Sequence, residues 1–205
     1  ITFCLLASAV ASNANLIVNG SFENPNLGGG WALYNNIPGW SAVGAYPIEI
    51  GAGGVYGDSG YDQQQVMEQD TTGNAMVDQI LATPGGSYNL SFLYADRLSV
   101  APPSATFDVY WNGNLVQSFS PTSTVMSLYT TTVTALANNT LEFRGTGIQD
   151  SYGAIIDNVQ LNAPVPDGGL TAALLGMGLS SLGWARRAFK GYKIPVGFYG
   201  LSSCS

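Results

Sequence analysis

Carboxylates are the side chains in this sequence with the clearest capacity for chemistry, because histidine is absent from all 205 residues. Without histidine, the Ser-His-Asp and Cys-His relays, His-liganded zinc and His-ligated haem are excluded. The two cysteines, Cys4 and Cys204, lie at opposite ends of the chain, so the region between them has no thiol nucleophile. The remaining possibilities are acid–base chemistry by carboxylates, metal binding by oxygen ligands, and ligand binding by aromatic and amide groups.

The acidic residues are concentrated in one region. The chain has 13 Asp and Glu against 6 Lys and Arg, a formal net charge of −7. Residues 15–163 contain twelve acids and two bases, Arg97 and Arg144, and thus carry a net charge of −10. Such a region repels a phosphate backbone, so we expect no nucleic-acid partner. Its carboxylates could in principle serve a glycoside hydrolase. No two of them stand in a catalytic motif, so we expect no enzyme activity.

Both ends of the chain are expected to be targeting segments. Residues 1–14 form an apolar run that ends in small residues, which is typical of a secretion signal lacking its basic start, and predicts a fragment at this end. A first core strand or helix is the alternative. Residues 170–185 carry no charge and precede Arg186 and Arg187. This pattern predicts one short transmembrane-like helix with a cytoplasmic basic flank.

Residues 15–163 show short alternations of apolar and polar residues that predict β-strands. Strands are expected at residues 16–18, 48–50, 66–69, 75–81, 88–94, 107–111, 114–119, 125–134, 141–143 and 155–161. Asn112-Gly113 predicts a tight hairpin between two of them. The pattern predicts an all-β domain, an antiparallel two-sheet sandwich of the jelly-roll type. Trp40 and Trp111 are expected in its core.

A motif after this domain carries a first resemblance. It consists of Val165, Pro166, Asp167, Gly168 and Gly169, followed by the uncharged segment 170–185 and then Arg186 and Arg187. This order resembles the VPDGG variety of the PEP-CTERM sorting signals. The resemblance implies that an exosortase-type transpeptidase of a Gram-negative bacterium recognises residues 164–190. It also implies an exported protein at the cell surface or outside the cell, anchored in the membrane by the apolar helix before processing. Residues 191–205 form an atypical tail beyond such signals.

Four motifs within the domain carry a second resemblance. They are NLIVNGSFENP from residue 15, IPGW from residue 37, PGGSYNLSF from residue 84 and AIIDNVQL from residue 154. They resemble the galactose-binding-like jelly rolls of bacterial surface proteins, of the choice-of-anchor C type. The resemblance implies that Glu23 and Asp157 ligate a structural calcium ion, a cation that prefers carboxylate oxygens. The alternative is that Glu23 caps a turn while Asp157 faces solvent or accepts backbone N–H groups.

Aromatic residues in glycine-rich stretches are the candidate ligand-binding residues, because sugars stack on aromatic rings and hydrogen-bond to polar neighbours. We expect these aromatic residues in exposed loops, with ordinary loop packing as the alternative. The candidates are Trp31, Tyr34, Tyr46, Tyr56 and Tyr61, with Asp62 in a polar rim. The predicted function is binding of exopolysaccharide or cell-wall glycan. A structural surface protein that contacts other proteins and has no sugar site is the alternative.

Overall fold

The computed structural model describes residues 15–99, 101 and 103–164, and within them every regular element is a β-strand. In chain order the strands are β1 (Trp31–Tyr34), β2 (Asn36–Ile37), β3 (Trp40–Ala42), β4 (Ile48–Ala52), β5 (Gln65–Glu68), β6 (Met76–Ala82), β7 (Gly86–Ala95), β8 (Phe107–Trp111), β9 (Asn114–Phe119), β10 (Ser127–Ala135), β11 (Asn138–Gly145) and β12 (Ile155–Asn162). The predicted all-β class is confirmed.

The predicted secretion signal 1–14, sorting signal 164–190 with its helix 170–185, and tail 191–205 lie outside the described residues, apart from residue 164. The part of the chain that the structure describes includes no helix of the length and apolarity that a membrane crossing requires.

The strands form two six-stranded sheets, which make up the predicted jelly-roll sandwich. The first sheet has the order β1-β4-β5-β12-β7-β10 and the second the order β2-β3-β6-β11-β8-β9. Neighbouring strands in both sheets pair antiparallel. Strands β10 and β9 therefore end the first and second sheets, respectively.

Alternation along β8 shows how the sequence fills the space between the sheets. Phe107, Val109 and Trp111 are buried, while the two residues between them are partly exposed. After β8, Asn112 and Gly113 have φ values of 52° and 75°, as the predicted two-residue hairpin turn requires. The core prediction for Trp40 and Trp111 is confirmed, since both are buried.

An aromatic cluster occupies the core behind the two edge strands β9 and β10. Phe92 is completely buried, and its ring centroid lies 5.2 Å from Phe143 and 5.5 Å from Phe119. Tyr94 and Tyr129 extend this cluster toward the surface, because both pack on the core while only partly buried. This end of the core therefore presents aromatic rings to solvent.

The N-terminal segment differs from its prediction. Residues 16–18 form no strand and lead into a turn, although the Leu16 N–H donates to the Leu161 carbonyl oxygen at 3.0 Å. The Val159 N–H likewise donates to the Gly20 carbonyl oxygen at 2.9 Å. The first segment of the domain thus runs beside β12, as expected, but without a regular ladder. Strands β1 to β3 were not predicted, because runs of two to four residues are too short to show an alternation.

Candidate functional site

Glu23 and Asp157, the predicted calcium ligands, lie close to Asp62 on the outer side of the first sheet. The Asp157 carboxylate is buried, and its oxygens accept the N–H groups of Asp62 at 2.5 Å and of Asn158 at 2.6 Å. Glu23 Oε1 accepts two successive N–H groups at the entry to β5, at 2.7 and 2.8 Å. We name Glu23, Asp62 and Asp157 the carboxylate cluster.

The three carboxyl groups interact electrostatically. Burial, with smaller contributions from the like charges of Asp62 and Glu23, raises the pKa of Asp157 to about 8. The two N–H groups that Asp157 accepts oppose this rise, because they stabilise the charged carboxylate. Glu23 and Asp157 therefore lie close to each other, and Asp62, which the sequence places in a polar rim, lies beside them.

The backbone beside each cluster member adopts a conformation that is unfavourable for a side-chain-bearing residue. Phe22, Gln63 and Asn158 have φ values of 55°, 57° and 45°, and each is the chain neighbour of a cluster carboxylate. Asparagine tolerates this left-handed region, whereas it is uncommon for phenylalanine and glutamine. Backbone strain of this kind persists where the surrounding contacts over-determine it, and it concentrates at functional sites.

The chemistry of the cluster fits calcium, which binds carboxylate and carbonyl oxygens in sets of six to eight. Among the described residues, however, no group of three or more His, Cys, Asp or Glu side chains is assembled as a metal site. A calcium ion here would need backbone carbonyl oxygens and water in addition to Glu23 and Asp157. The observed backbone contacts agree with the alternative that Glu23 caps a turn and Asp157 accepts N–H groups.

The candidate ligand-binding aromatics do not form one surface. On β1, Trp31 is paired with Gly51 and 59% exposed, whereas Tyr34 packs against the core. Tyr46 lies elsewhere, with its ring so close to Gly73 that a Cβ there would collide with it. Of these three aromatics, Trp31 is the one that offers most of its ring to solvent.

The expectation of an exposed Tyr56 is wrong. Its side chain is 4% exposed, and its hydroxyl donates to Glu49 Oε1 at 2.8 Å. The ring occupies the space that a side chain at Gly51 would fill, and Tyr61 covers Gly53 in the same way. The glycines that suggested exposed loops instead make room for two tyrosines on the sheet.

Two glutamates face each other beneath Tyr56. Glu49 on β4 pairs directly with Glu68 on β5, and both are buried. Arg97 lies over them, with Nη1 3.5 Å from Glu68 Oε1. Its guanidinium carbon is 4.6 Å from the ring centroids of both Tyr56 and Tyr152. The arginine therefore balances buried charge and packs against two aromatic rings.

The two glutamates lie opposite each other, as the carboxyl groups of a glycosidase do, but a substrate has no access to them. Burial, together with the charge of Glu49, raises the pKa of Glu68 to about 7, while the N–H groups of Gly153 and Asp70 oppose the rise. Burial also raises the pKa of Glu49. Neighbouring carboxyl groups serve glycosidases when a substrate lies between them. Here Tyr56 and Arg97 cover the pair, and it lines neither of the cavities beside β9 and β10.

An open groove runs between edge strands β9 and β10. One section of about 540 Å³ is lined by residues 117–123 together with Tyr94, Ser127 and Tyr129. A second section of about 540 Å³ adjoins it and is lined by residues 111–112, 114–116, 131–134 and 136. The sections meet along both strands, since residues 116 and 117 line different sections. Every lining side chain is uncharged.

Aromatic rings form the floor of the first section. The ring of Phe119 lies 4.9 Å from both Tyr94 and Tyr129, measured between centroids. Both tyrosines are partly buried, so part of each ring faces the groove. Around them the lining carries the Gln117 amide and a set of serine and threonine hydroxyls. This combination of aromatic faces and neutral polar groups is one that sugars bind.

The sequence reasoning did not identify the groove residues. Tyr94 and Tyr129 belong to alternating strands, a pattern that indicates core, and only the sheet order shows that β10 is an edge. One signal was available in the sequence. Residues 117–127 combine six serines and threonines with a proline and carry no charge, in a domain that is otherwise acidic.

Comparison with known proteins finds relatives that match this chain over the length of one domain. No protein-family model matches the chain. It is 34% identical over 149 residues to a multifunctional-autoprocessing repeats-in-toxin protein of Vibrio vulnificus, and 36% identical over 149 residues to one of Vibrio cholerae serotype O1. Each match covers 71% of this chain and 3% of the relative. The chain thus spans about 3% of the length of these curated relatives.

Solved structures of low similarity include carbohydrate-binding modules. The family 35 module from Paenibacillus barcinonensis gives a TM-score of 0.42 at 19% identity, covering 66% of this chain and 100% of that one. The family 35 module from Clostridium thermocellum gives a TM-score of 0.39 at 18% identity, covering 65% of this chain and 92% of that one. The enzymatically active domain of tailspike protein 4 of bacteriophage CBA120 gives a TM-score of 0.44 at 19% identity, covering 72% of this chain and 21% of that one. Similarity at this level assigns no ligand to the chain.

Proposed function

We propose that this domain is a non-catalytic carbohydrate-binding module that holds a glycan in the groove between β9 and β10. The observation that carries the proposal is the groove lining, in which two partly buried tyrosines lie beside neutral hydroxyl and amide groups. Tyrosine rings accept the apolar C–H face of a sugar, while Ser, Thr and Gln side chains hydrogen-bond to its hydroxyls.

The charge distribution favours a neutral glycan. Residues 15–163 carry a net charge of −10, which repels uronate-containing or sulfated polymers at long range. The groove lining itself has no charged side chain. A neutral polysaccharide can therefore enter without desolvating an ionised group, and an anionic one gains no compensating cation.

The length of the groove favours an extended chain of several sugars. Its two sections follow β9, a strand of six residues, which spans about 20 Å at roughly 3.3 Å per residue. Both sections are open clefts bordered by the two strands. An internal segment of a polymer fits this shape better than a single sugar does.

The same lining supports binding without hydrolysis. A glycosidase places two carboxyl groups beside the scissile bond. None of the carboxylates lines either section of the groove. The closely paired glutamates of the domain, Glu49 and Glu68, lie beneath Tyr56 and Arg97.

Retention of the full chain on immobilised polysaccharides tests the proposal. We expect retention on at least one neutral glucan or galactan and none on a polyuronate. Tyr129→Ala should weaken binding by about tenfold, equivalent to ~1.4 kcal/mol. Gln117→Ala, at an exposed position, tests the groove without disturbing core packing. Loss of binding in Trp31→Ala but in neither groove variant would place the glycan on the predicted loop surface and overturn the groove assignment.

A protein partner is the second candidate, and exposed leucines favour it. Leu115, Leu128 and Leu136 are 54%, 68% and 61% exposed, and all three lie on or next to the edge strands of the groove. Edge strands with apolar side chains pair readily with another chain. Failure to bind any glycan, combined with self-association that a Leu128→Lys substitution abolishes, would favour this function.

We also propose that the chain is exported and sorted through residues 164–190. The support is the order of the Val165–Gly169 motif, the uncharged segment 170–185 and the pair Arg186 and Arg187 in the sequence. Intact-mass measurement of protein from the native cell surface tests it, with cleavage expected near residues 166–169. If residues 174–193 remain attached in most molecules, the protein is a membrane-anchored one that is not processed.

The calcium prediction for the carboxylate cluster has a separate test. If Glu23 and Asp157 share an ion, calcium should raise the melting temperature of the full chain and a chelator should lower it, by mass-action linkage. Glu23→Gln should remove most of this shift while the fold is kept. An unchanged melting temperature in calcium and in chelator would remove the ion from this site.

A further inference from the structure

The loop between β5 and β6 contains an unusual concentration of unpaired oxygen atoms. Within the described residues, the buried side-chain atoms that lack any hydrogen-bond partner are Gln69 Oε1, Asp70 Oδ1, Thr71 Oγ1 and Asn74 Oδ1. The first three side chains belong to residues that are 0%, 1% and 5% exposed. Buried polar groups in native proteins nearly always have a partner. Four exceptions within six successive residues therefore point to a bound species. We name residues 69–74 the oxygen loop.

Backbone pairing brings the two ends of the oxygen loop together. Asp70 and Asn74 form an antiparallel bridge, which places their side chains on one face with Cβ atoms about 5 Å apart. Both side chains reach the same neighbouring segment. Asp70 Oδ2 accepts the N–H groups of residues 150 and 151 at 2.9 and 3.2 Å, and Asn74 Nδ2 donates to the Gly147 carbonyl oxygen at 2.9 Å. Because the Asn74 amide nitrogen is held in this way, its oxygen is fixed as an acceptor.

Glycines allow the surrounding backbone to enclose the oxygen loop. A Cβ at Gly145 would lie 2.6 Å from the Gln69 carbonyl oxygen and 3.1 Å from Asn74 Oδ1. A Cβ at Gly153 would collide with the backbone of Asp70. The loop is therefore covered closely by bare backbone, which supplies none of the unpaired oxygens with a donor.

The chemistry of these atoms selects a hard cation. Three are acceptors that need a positive partner, and a single water molecule can donate only two hydrogen bonds. A cation can take several such oxygens as ligands together. Zinc and other transition metals favour nitrogen and sulfur ligands, and magnesium demands near-ideal octahedral geometry and retains water. Calcium accepts carboxylate, amide, carbonyl and hydroxyl oxygens in an irregular set.

We propose that the oxygen loop binds calcium through the side-chain oxygens of Gln69, Asp70, Thr71 and Asn74. This site is distinct from the carboxylate cluster, which uses Glu23 and Asp157. The nearby carboxylate of Glu68, whose oxygens accept the N–H groups of Asp70 and Gly153, adds negative potential that attracts the ion. The ion fastens the β5–β6 loop to the segment before β12.

Thr71→Val gives the sharpest test, because it removes one proposed ligand oxygen and conserves the shape of the side chain. In chelator, the variant should be as stable as the parent chain or more stable, since an unpaired hydroxyl is lost. In millimolar calcium, it should melt below the parent chain, because loss of a ligand lowers the calcium affinity by about tenfold or more. Asp70→Asn should lower the affinity further.

Terbium luminescence locates the ion. Tyr46 packs against Gly73 of the oxygen loop, so terbium bound there is excited through this tyrosine. We expect emission from the full chain that calcium displaces, that Thr71→Val and Tyr46→Phe reduce, and that Glu23→Gln leaves intact. Emission that Glu23→Gln abolishes and Thr71→Val preserves would place the ion at the carboxylate cluster and overturn the proposal. Absence of terbium binding and of any calcium-dependent melting shift would also overturn it, with water as the partner of these oxygens.

Discussion

The outer side of the first sheet and the groove between β9 and β10 use polar residues in opposite ways. On the outer side, carboxylates such as Glu68 and Asp157 are completely buried and bound by backbone N–H groups. In the groove, the polar residues are serines, threonines, asparagines and a glutamine, and no charge is present. Acidic side chains in this domain therefore hold backbone segments together, while the groove that is open to a ligand is lined by uncharged side chains.

Carboxylates hold the loops in a region that has no cysteine. Glu23, Glu68, Asp70 and Asp157 each accept two backbone N–H groups. Most of these N–H groups belong to segments distant in sequence, such as residues 150 and 151 for Asp70. Where the carboxyl group is ionised, as above pH 8 for Asp157, such hydrogen bonds are about twice as strong as neutral ones. Such contacts fasten loops to one another in the way that disulfides do in cysteine-containing domains.

The largest expected effect on stability comes from removing the arginine beside the buried glutamates, compared with removing an arginine at the surface. Arg97→Ala leaves Glu68 and Glu49 buried without a cation and removes the contacts to two tyrosine rings. We expect a loss of about 3–5 kcal/mol in the free energy of unfolding at pH 9, above the Glu68 pKa of about 7. Arg144→Ala is the matched control, because Arg144 pairs with Glu142 at the surface and such pairs contribute up to ~1 kcal/mol. Urea unfolding measures both. Equal losses would contradict the distinction between the two regions.

The next largest loss of stability is expected where glycine backbone packs closely against the loop after β5. In Gly145→Ala the new methyl group meets the Gln69 carbonyl oxygen at 2.6 Å, and overpacking of this kind costs about 1–3 kcal/mol. Gly85→Ala is the control, since its nearest contact is the Ala135 carbonyl oxygen at 3.6 Å. Thermal and urea unfolding of both variants compare the two positions. A Gly145→Ala chain as stable as Gly85→Ala would show that these loops shift freely.

A smaller effect is expected in the groove, and on binding instead of stability. Tyr129→Phe keeps the ring against Phe119 and removes only the hydroxyl, so the free energy of unfolding should change by less than about 0.5 kcal/mol. Glycan affinity should fall between roughly two- and tenfold, which corresponds to one hydrogen bond. Tyr34→Phe, on the opposite edge of the first sheet, is the control and should bind normally. Isothermal titration measures both; equal losses would argue against the groove.

The contrast between the two regions also explains what the sequence allowed us to predict. Alternation identified β7, β8 and β12, and Asn112-Gly113 located the hairpin, because these signals are local. Glu23 and Asp157 were brought together by the resemblance and by the proximity of the first and last segments. The groove could not be predicted, because the edge position of β9 and β10 follows from long-range pairing. The burial of Tyr56 depends on the glycine beneath it, a contact that no local pattern shows.

The smallest expected effect concerns charges that are neither deeply buried nor in the groove. Asp78 on β6 lies directly opposite Glu142 on β11, and like charges in this arrangement destabilise a sheet by up to ~1 kcal/mol. Partial burial and the charge of Glu142 raise the pKa of Asp78 above its usual value of 3.8. Arg144, which pairs with Glu142, reduces the repulsion. We therefore expect Asp78→Asn to stabilise the domain by only a few tenths of a kcal/mol at pH 7.

The size of this effect should depend on pH. Because the folded state binds the Asp78 proton more tightly than the unfolded state, the contribution of Asp78 to stability is fully present below pH 3.8 and is lost as the pH rises through the folded-state pKa. The advantage of Asp78→Asn should consequently vanish near pH 3 and grow toward neutrality. Asp108→Asn is the control, since Asp108 is paired with Arg144 on the same sheet and its removal should slightly destabilise the neutral-pH state. Stability curves for the two variants that run parallel across this pH range would mean that cross-strand charge has no part in the stability of the second sheet.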